Sequence, residues 1–537
     1  MFTASGSYRS VFRFGTSEYF FVLLIVAFFA GCGDSATTGR AKNRLHEEVV
    51  SQTQQRLPAK KVSEQNRTKT TENLLDPLFA KQWYLQKEGI DVVPVWKAYT
   101  GKGVRIGVVD SGIDANHPDL AENLDMVNSY RFSDASNDPS VTEAELHDPF
   151  TDAPHGTAVA GVIAAAHNGE GIIGVAPEAT LVGLNVFSAG DDDAFASAML
   201  YPNIDISSNS WGGDLSFGLD DDRIVLDAIE AKMQRDPTIF VFAAGNEASN
   251  TGFSSVLNSR YTLVVGALER NATAAVYSNF GTNLLCSAPG GRAGGESGIV
   301  TTDLVGIDVG YDRADVHWRV FGNEMYAYTD KFDGTSAAVP IVSGVIALMR
   351  EANPSIDYRD VRYIIAHTAQ KIESSARDWI INGEGLHYNR RYGFGRIDPA
   401  AATDMAKEFP GLGKEVHLHT SMKNLQLPIP DNNTTGIDLT LSMRESVRIE
   451  YVVLTIRTDH TYSGDLKISL HSPAGTSMQI TDGETLTQDA YNPWSFGILG
   501  FMDENASGAW RVNISDIAPK DDGKLISVML DIYGVAI

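Results

Sequence analysis

A chain of 537 residues is long enough, at about 150 residues per domain, for roughly three to four folded units, which excludes a small scaffold held by disulfides. Its 43 Lys and Arg against 68 Asp and Glu give a net charge of −25. That field repels phosphate backbones and anionic lipid headgroups, so nucleic acid is not an expected partner. With 43% hydrophobic and 21% charged residues the bulk is ordinary globular material, and function has to be read from local sites.

The first apolar run, Tyr19 to Ala30, follows Arg9 and Arg13 and is shorter than the ~20 residues of a spanning helix, which predicts a signal peptide. It ends in Phe29-Ala30-Gly31-Cys32, which resembles the lipobox of bacterial lipoproteins. By that resemblance residues 1–32 are a lipoprotein signal, Cys32 carries the lipid and becomes the mature N-terminus, and the chain is anchored to the membrane of a bacterial cell envelope. The alternative is a secretory signal with an incidental cysteine. Cys286 is the other cysteine; lipidation of Cys32 leaves no intrachain disulfide, and Cys286 reads as a small buried hydrophobe. Residues 33–75 are polar with no apolar period and read as a disordered tether.

From 76 to 410, strand-like apolar runs at 104–109, 239–243 and 263–267 alternate with Ala-rich helical stretches at 156–166 and 337–351. Such alternation predicts an α/β domain with a parallel sheet flanked by helices and buried on both faces. From 411 to 537 the helical period vanishes. Runs at 447–453, 466–470, 510–514 and 525–533 alternate near period two between Gly, Pro, Asp and Asn clusters, which predicts an all-β, jelly-roll-like sandwich.

Three short motifs place reactive side chains at turns. Val108-Val109-Asp110-Ser111-Gly112 ends a strand in a carboxylate, His155-Gly156-Thr157 opens a small-residue helix, and Gly334-Thr335-Ser336-Ala337-Ala338 puts a serine at a helix start, where backbone amides favour negative charge. Each alone reads as a turn or cap. Together they give the chain order Asp, His, Ser, one of the orders in which a nucleophilic triad recurs.

With these motifs, residues 76–410 resemble the subtilisin family of serine peptidases. Ser208-Asn209-Ser210-Trp211-Gly212 resembles its substrate-binding strand and Ala243-Ala244-Gly245-Asn246 its oxyanion segment. Asp76-Pro77-Leu78-Phe79, Gln82-Trp83, Tyr392-Gly393-Phe394-Gly395, and, in the following domain, the 460–466 and 472–476 segments resemble the kexin and furin-like subgroup with its P domain. The resemblance implies a calcium-dependent endopeptidase acting on polypeptides as a monomer, with Ser336 as nucleophile, His155 as general base, Asp110 orienting it, Asn246 at the oxyanion, and Ser210, Trp211 and Gly212 pairing with substrate. By resemblance to the tight subtilisin calcium site, Asp119 and Asn168 give side-chain oxygens. Ala166, Glu170 and Ile172 give carbonyls, and Asp76 or Gln82 closes the shell. The subgroup's second calcium site is not expected, because positions near Leu215 and Asn279 lack acids. Ser111 stands where those enzymes carry a second Asp, and the S1 acids expected after Gly212 and near Ser254 are displaced or missing, so a specificity broader than paired basic residues is expected. The Asp191–Asp193 and Asp220–Asp222 clusters either favour cationic substrates or are solvated surface. A silent peptidase fold that holds a protein partner is the alternative.

Overall fold

The computed structural model describes residues 76–148, 151–216, 218–292, 297–306, 309–311, 327–484 and 490–537. The expected signal peptide, Cys32 and the polar tether lie outside the described residues.

The first domain runs through β1 (Arg105–Asp110), β2 (Tyr130–Arg131), α1 (Glu143–His147), α2 (His155–Ala164), β3 (Thr180–Asn185), α3 (Asp192–Met199), β4 (Ile206–Asn209), α4 (Arg223–Arg235) and β5 (Ile239–Ala243). It continues with β6 (Thr262–Leu268), β7 (Leu284–Pro289), β8 (Ile299–Thr302), β9 (Tyr328–Phe332), α5 (Thr335–Ala352), α6 (Tyr358–Thr368), β10 (Ile380–Ile381), β11 (His387–Tyr388) and α7 (Pro399–Glu408). Strands β1 to β7 make one parallel sheet in the order β2-β3-β1-β4-β5-β6-β7. Strands β4 to β7 are buried along their whole length, the state that their continuous apolar runs predict when helices cover both faces. The chain lays β2 and β3 on one side of β1 and then crosses to place β4 on the other. That reversal opens a crevice at the carboxyl ends of β1 and β4, where such sheets bind ligands.

Helix α5 is long and apolar enough to cross a membrane, yet Thr335 to Met349 are buried; it is the core helix on the sheet. The buried Cys286 thiol, on β7, is pushed up to about 12 by desolvation and stays protonated, in keeping with a packing role.

The second domain holds β12 (Glu415–Ile429), β13 (Asn433–Met443), β14 (Val447–Thr458), β15 (Leu466–His471), β16 (Ser477–Asp482), β17 (Trp494–Ile498), β18 (Gly508–Asp516) and β19 (Gly523–Ala536). They form two antiparallel four-stranded sheets, β12-β19-β14-β17 and β13-β18-β15-β16, as the period-two alternation predicts. The sandwich grips the first domain through polar contacts. Arg359 meets Glu450 in a buried two-point bond of 2.8 and 2.7 Å, the Trp494 indole donates to the Gly252 carbonyl at 2.7 Å, and Asn250 Nδ2 donates to the Ile480 carbonyl at 2.9 Å. Asn250 and Gly252 follow directly on the turn that carries Asn246, so the sandwich braces one wall of the crevice.

Candidate functional site

Asp110 ends β1 and His155 opens α2, and their side chains meet at 2.7 Å between His155 Nδ1 and Asp110 Oδ1. The pair is sealed, with Asp110 at 0% and His155 at 2% exposure. The helix comes this close because its second residue has no side chain: a Cβ on Gly156 would lie 2.2 Å from the Ser111 carbonyl oxygen. Ser111 does the stitching, accepting from Gly156 N–H at 2.8 Å and donating to the Ala153 carbonyl at 3.2 Å. Its hydroxyl is therefore committed to holding α2 on β1.

Burial by itself lowers the His155 pKa, but the charge and hydrogen bond of Asp110 outweigh it, with Asp152 adding to them, so the imidazole titrates above its ordinary value. Asp152 was not singled out from sequence. It receives the Tyr311 hydroxyl at 2.8 Å, and burial raises its pKa against the opposing pull of His155.

Ser336 arrives from the other side of the crevice. Val109 pairs with Asn209 across β1 and β4, so Ser210 follows at the strand end beside Asp110, and Ser336 Oγ donates to the Ser210 carbonyl at 3.2 Å. The reciprocal bond has a local cause. Pro340 inside α5 lacks the N–H that the Ser336 carbonyl would accept, and Ser210 Oγ donates to that carbonyl at 3.1 Å instead. Phe332, just before the turn into α5, packs edge-on against the His155 ring at 5.4 Å, tying the serine's approach to the histidine.

Asn246 sits across the cleft on a turn whose Gly245 has φ +100°, a conformation open to glycine at no steric cost. Its Oδ1 accepts from the Thr335 N–H at 2.9 Å and the Thr335 hydroxyl at 3.0 Å. That fixes the amide's orientation and leaves Nδ2 as the group directed away from Thr335. Ser336, Asn246, Ser210, Trp211 and Gly212 all line one cleft of about 470 Å³. Gly212 is open, with nothing within 4 Å of an added Cβ, whereas Trp211 is buried against Phe195 and Phe242.

The wall of this cleft carries Asp192, Asp220, Asp221, Asp222 and Glu247 against Arg223. These acids reach the cleft from segments on both sides of Gly212 in the chain. Asp220 is brought in by its N–H bond to the Phe253 carbonyl at 2.7 Å; burial and the charges of Asp222 and Asp221 push its carboxyl up to about 6, against a Ser254 hydrogen bond.

Away from the cleft, the 166–172 loop closes over two buried carboxylates. Asp119 Oδ2 accepts from Ile172 N–H at 3.0 Å and Oδ1 from Asn168 Nδ2 at 3.1 Å. Asp76 Oδ1 accepts from Gly169 N–H at 2.6 Å, while its buried Oδ2 has no hydrogen-bond partner. Burial drives both carboxyls up to about 6. Asn168 Oδ1 accepts from Glu170 N–H at 2.8 Å, and the Ala166 N–H donates to the Asp119 carbonyl at 2.8 Å. Gln82 spends its amide beside this loop, exchanging bonds of 2.8 and 3.1 Å with the Ile173 backbone. Among the described residues no group of three or more His, Cys, Asp or Glu is arranged to hold a metal, so an ion here would depend on two carboxylates with amide and carbonyl oxygens.

Residues 101–395 match the family model described as "Subtilase family" and residues 449–532 that described as "Proprotein convertase P-domain". A PC3-like endoprotease (variant B) of Hydra vulgaris is 32% identical over 83% of this chain and 64% of its own length. Furin-1 of Xenopus laevis is 30% identical over 86% of this chain and 59% of its own, and human proprotein convertase subtilisin/kexin type 6 is 30% identical over 86% and 49%. The chain thus spans between about half and two thirds of these relatives. The serine protease of Aeromonas sobria, solved in complex with its chaperone, superposes with a TM-score of 0.79 at 25% identity over 88% of this chain and 97% of its own. The chain belongs to the subtilase family, in the kexin- and furin-like arrangement in which a P domain follows the subtilase domain.

Proposed function

We propose that the chain is a serine endopeptidase in which Ser336 attacks the scissile carbonyl and His155 Nε2 takes its proton, then returns it to the leaving amine. Water repeats the sequence in reverse roles to release the acyl group from Ser336. Asp110 holds the imidazole through Nδ1 and stabilises its protonated form. Asn246 Nδ2 and the Ser336 N–H, in the first turn of α5 where amides have no intrahelical partner, receive the oxyanion. The observation that carries the reading is the sealed Asp110–His155 pair, 2.7 Å apart, at the sheet end from which Ser336 is one strand away. The open Gly212 edge suits an extended peptide added as a strand. A fluorophosphonate probe that labels the protein but not Ser336→Ala, together with peptide turnover, supports the proposal; no labelling favours a silent scaffold that holds a protein partner.

The cleft's acidic wall supports a preference for a cationic side chain next to the scissile bond, a narrower reading than the displaced motif acids imply. Cleavage profiles of a peptide library test it: equal cleavage after Lys, Arg and neutral residues rules the preference out.

Calcium fits the 166–172 loop. The buried, unpartnered Asp76 Oδ2 beside Asp119 is a polar atom that a hard cation would satisfy, and calcium takes six to eight oxygens. Asp76, Asp119 and Asn168 would hold it through side chains and Ala166, Glu170 and Ile172 through carbonyls, with Gln82 behind. The ion would supply positive charge to order the loop. We also propose lipid attachment at Cys32 and envelope anchoring, supported by the apolar run and the small residues before that cysteine. Lipid labelling lost in Cys32→Ala is the expected result; cleavage elsewhere with no lipid would rule it out. A monomer is proposed because the cleft is built within one chain, and sedimentation of the soluble part tests it.

A further inference from the structure

Asn279 is fully buried in the crook of residues 244–249, the turn that displays Asn246. Its Nδ2 donates to the Ala244 carbonyl at 2.9 Å and to Glu247 Oε2 at 2.6 Å. Its Oδ1 accepts from the N–H groups of Glu247 at 3.0 Å and Ser249 at 2.7 Å. The backbone N–H of Asn279 adds a bond of 3.0 Å to the Gly245 carbonyl. A primary amide offers two donors and two acceptor lone pairs, and here all four are spent on one turn. The bonds run to the residues on either side of Asn246. Close approach is possible because residue 245 has no side chain: a Cβ there would lie 2.3 Å from Asn279 Nδ2.

Two side chains therefore divide one task. Thr335 fixes which way the Asn246 amide faces, and Asn279 fixes the backbone from which it projects. We propose that Asn279 is a positioning residue for the oxyanion donor Asn246, acting through the 244–249 turn without touching substrate or Ser336. The inference rests on the oxyanion role proposed for Asn246.

Replacing Asn279 by Ala leaves the N–H groups of Glu247 and Ser249 and the Ala244 carbonyl without these partners, so the turn must relax to find others. A displacement of about 1 Å in a catalytic group costs up to ~10²-fold in rate. The substrate edge at Ser210–Gly212 lies on a different element, so with a substrate that offers Glu247 no cationic side chain the loss falls on kcat with little change in KM.

A double-mutant cycle tests this, with kcat and KM measured on a peptide substrate free of cationic side chains and active sites counted by fluorophosphonate titration so that misfolded protein is excluded. Asn246→Ala is expected to lower kcat by ~10²–10³, Asn279→Ala by about 10- to 100-fold with KM within about twofold. The double variant is expected within about twofold of Asn246→Ala alone. A cycle in which the two losses multiply, or an Asn279→Ala effect confined to KM or to the titrated fraction, overturns the inference. If Asn246→Ala leaves kcat unchanged, the oxyanion reading falls and takes this one with it, an outcome distinct from a multiplicative cycle.

An exchange of partners sharpens the test. Asn279→Asp keeps both acceptors but sets a carboxylate against Glu247, and adding Glu247→Gln returns an amide to face it. The exchanged pair is expected to recover about fivefold in kcat over Asn279→Asp, the scale of one hydrogen bond; no recovery overturns the proposal.

Discussion

Two loops of the first domain, one lining the cleft and one away from it, solve the same problem by opposite means. The 244–249 turn is organised by a neutral amide, Asn279, whose four hydrogen bonds are all made inside the protein. The 166–172 loop is organised by two carboxylates, Asp76 and Asp119, raised by burial, with one buried oxygen left over. A buried neutral group with every partner in place needs nothing further, whereas buried anions call for a counter-charge. The first loop should hold its shape with or without a cation, and the second only when a cation is supplied.

The contrast bears on function only if the crevice that the 244–249 turn lines is catalytic, so the largest expected effect is the loss of the nucleophile. Ser336→Ala should lower kcat by about 10⁶-fold, the scale known for removal of that group in subtilisin, with the fold unchanged by circular dichroism. Residual peptide cleavage near the wild-type rate would break the comparison at its root.

Next is Asp110→Asn, expected to cost about 10⁴-fold in kcat. The sign of the pH effect is fixed by His155. Asp110 raises the imidazole pKa, and the base works when neutral, so the acid limb of kcat/KM in the wild type should lie above about 6.5, the unperturbed histidine value. Removing the anion should move that limb to lower pH. A limb that stays in place would mean that Asp110 does not set the ionisation of His155.

Chelation separates the loops directly. If calcium is present at about 1,000 times its dissociation constant, its removal costs about 4 kcal/mol, or roughly 8 °C in Tm at about 2 °C per kcal/mol. Asp119→Asn should lose most of this calcium response, and Asn279→Ala should retain it. Equal chelator sensitivity in Asp119→Asn and the wild type would show that the two carboxylates do not need the ion.

The smallest effect concerns the cleft wall. Asp220, raised to about 6, is neutral below that pH and charged above it. The kcat/KM ratio for Lys over norleucine substrates should therefore rise by about tenfold between pH 5 and 7, the worth of a charge-assisted bond. Asp220→Asn should make the ratio flat and low.

Legibility followed distance along the chain. Asp110, His155, Asn246 and Ser336 each stand at the end of an element that their immediate neighbours specify, so short motifs locate them. Asp152, Asp220 and Asn279 carry no local mark. Asp152 sits between Thr151 and Ala153 with no motif of its own, Asp220 in an acidic run that reads equally as solvated surface, and Asn279 in a stretch marked only by its lack of acids. Their roles come from partners far away in sequence: Tyr311 for Asp152, Phe253 for Asp220, and the 244–249 turn for Asn279. The Ser111 position was legible as a departure from the subgroup, but that its hydroxyl clamps α2 onto β1 depends on the approach of a helix dozens of residues later.

By itself the sequence determined the two architectures, because periodicity and turn chemistry are properties of consecutive residues, and it determined which groups are chemically able to form a triad. Only the tertiary structure decided the rest. It set which carboxylates end up desolvated together, which amide is pinned with its donor directed away from Thr335, and which carbonyl a proline leaves for Ser210 to satisfy. Those outcomes turn on burial and on hydrogen bonds formed over ångströms between segments 49 to 126 residues apart, and neither quantity exists until the chain has folded.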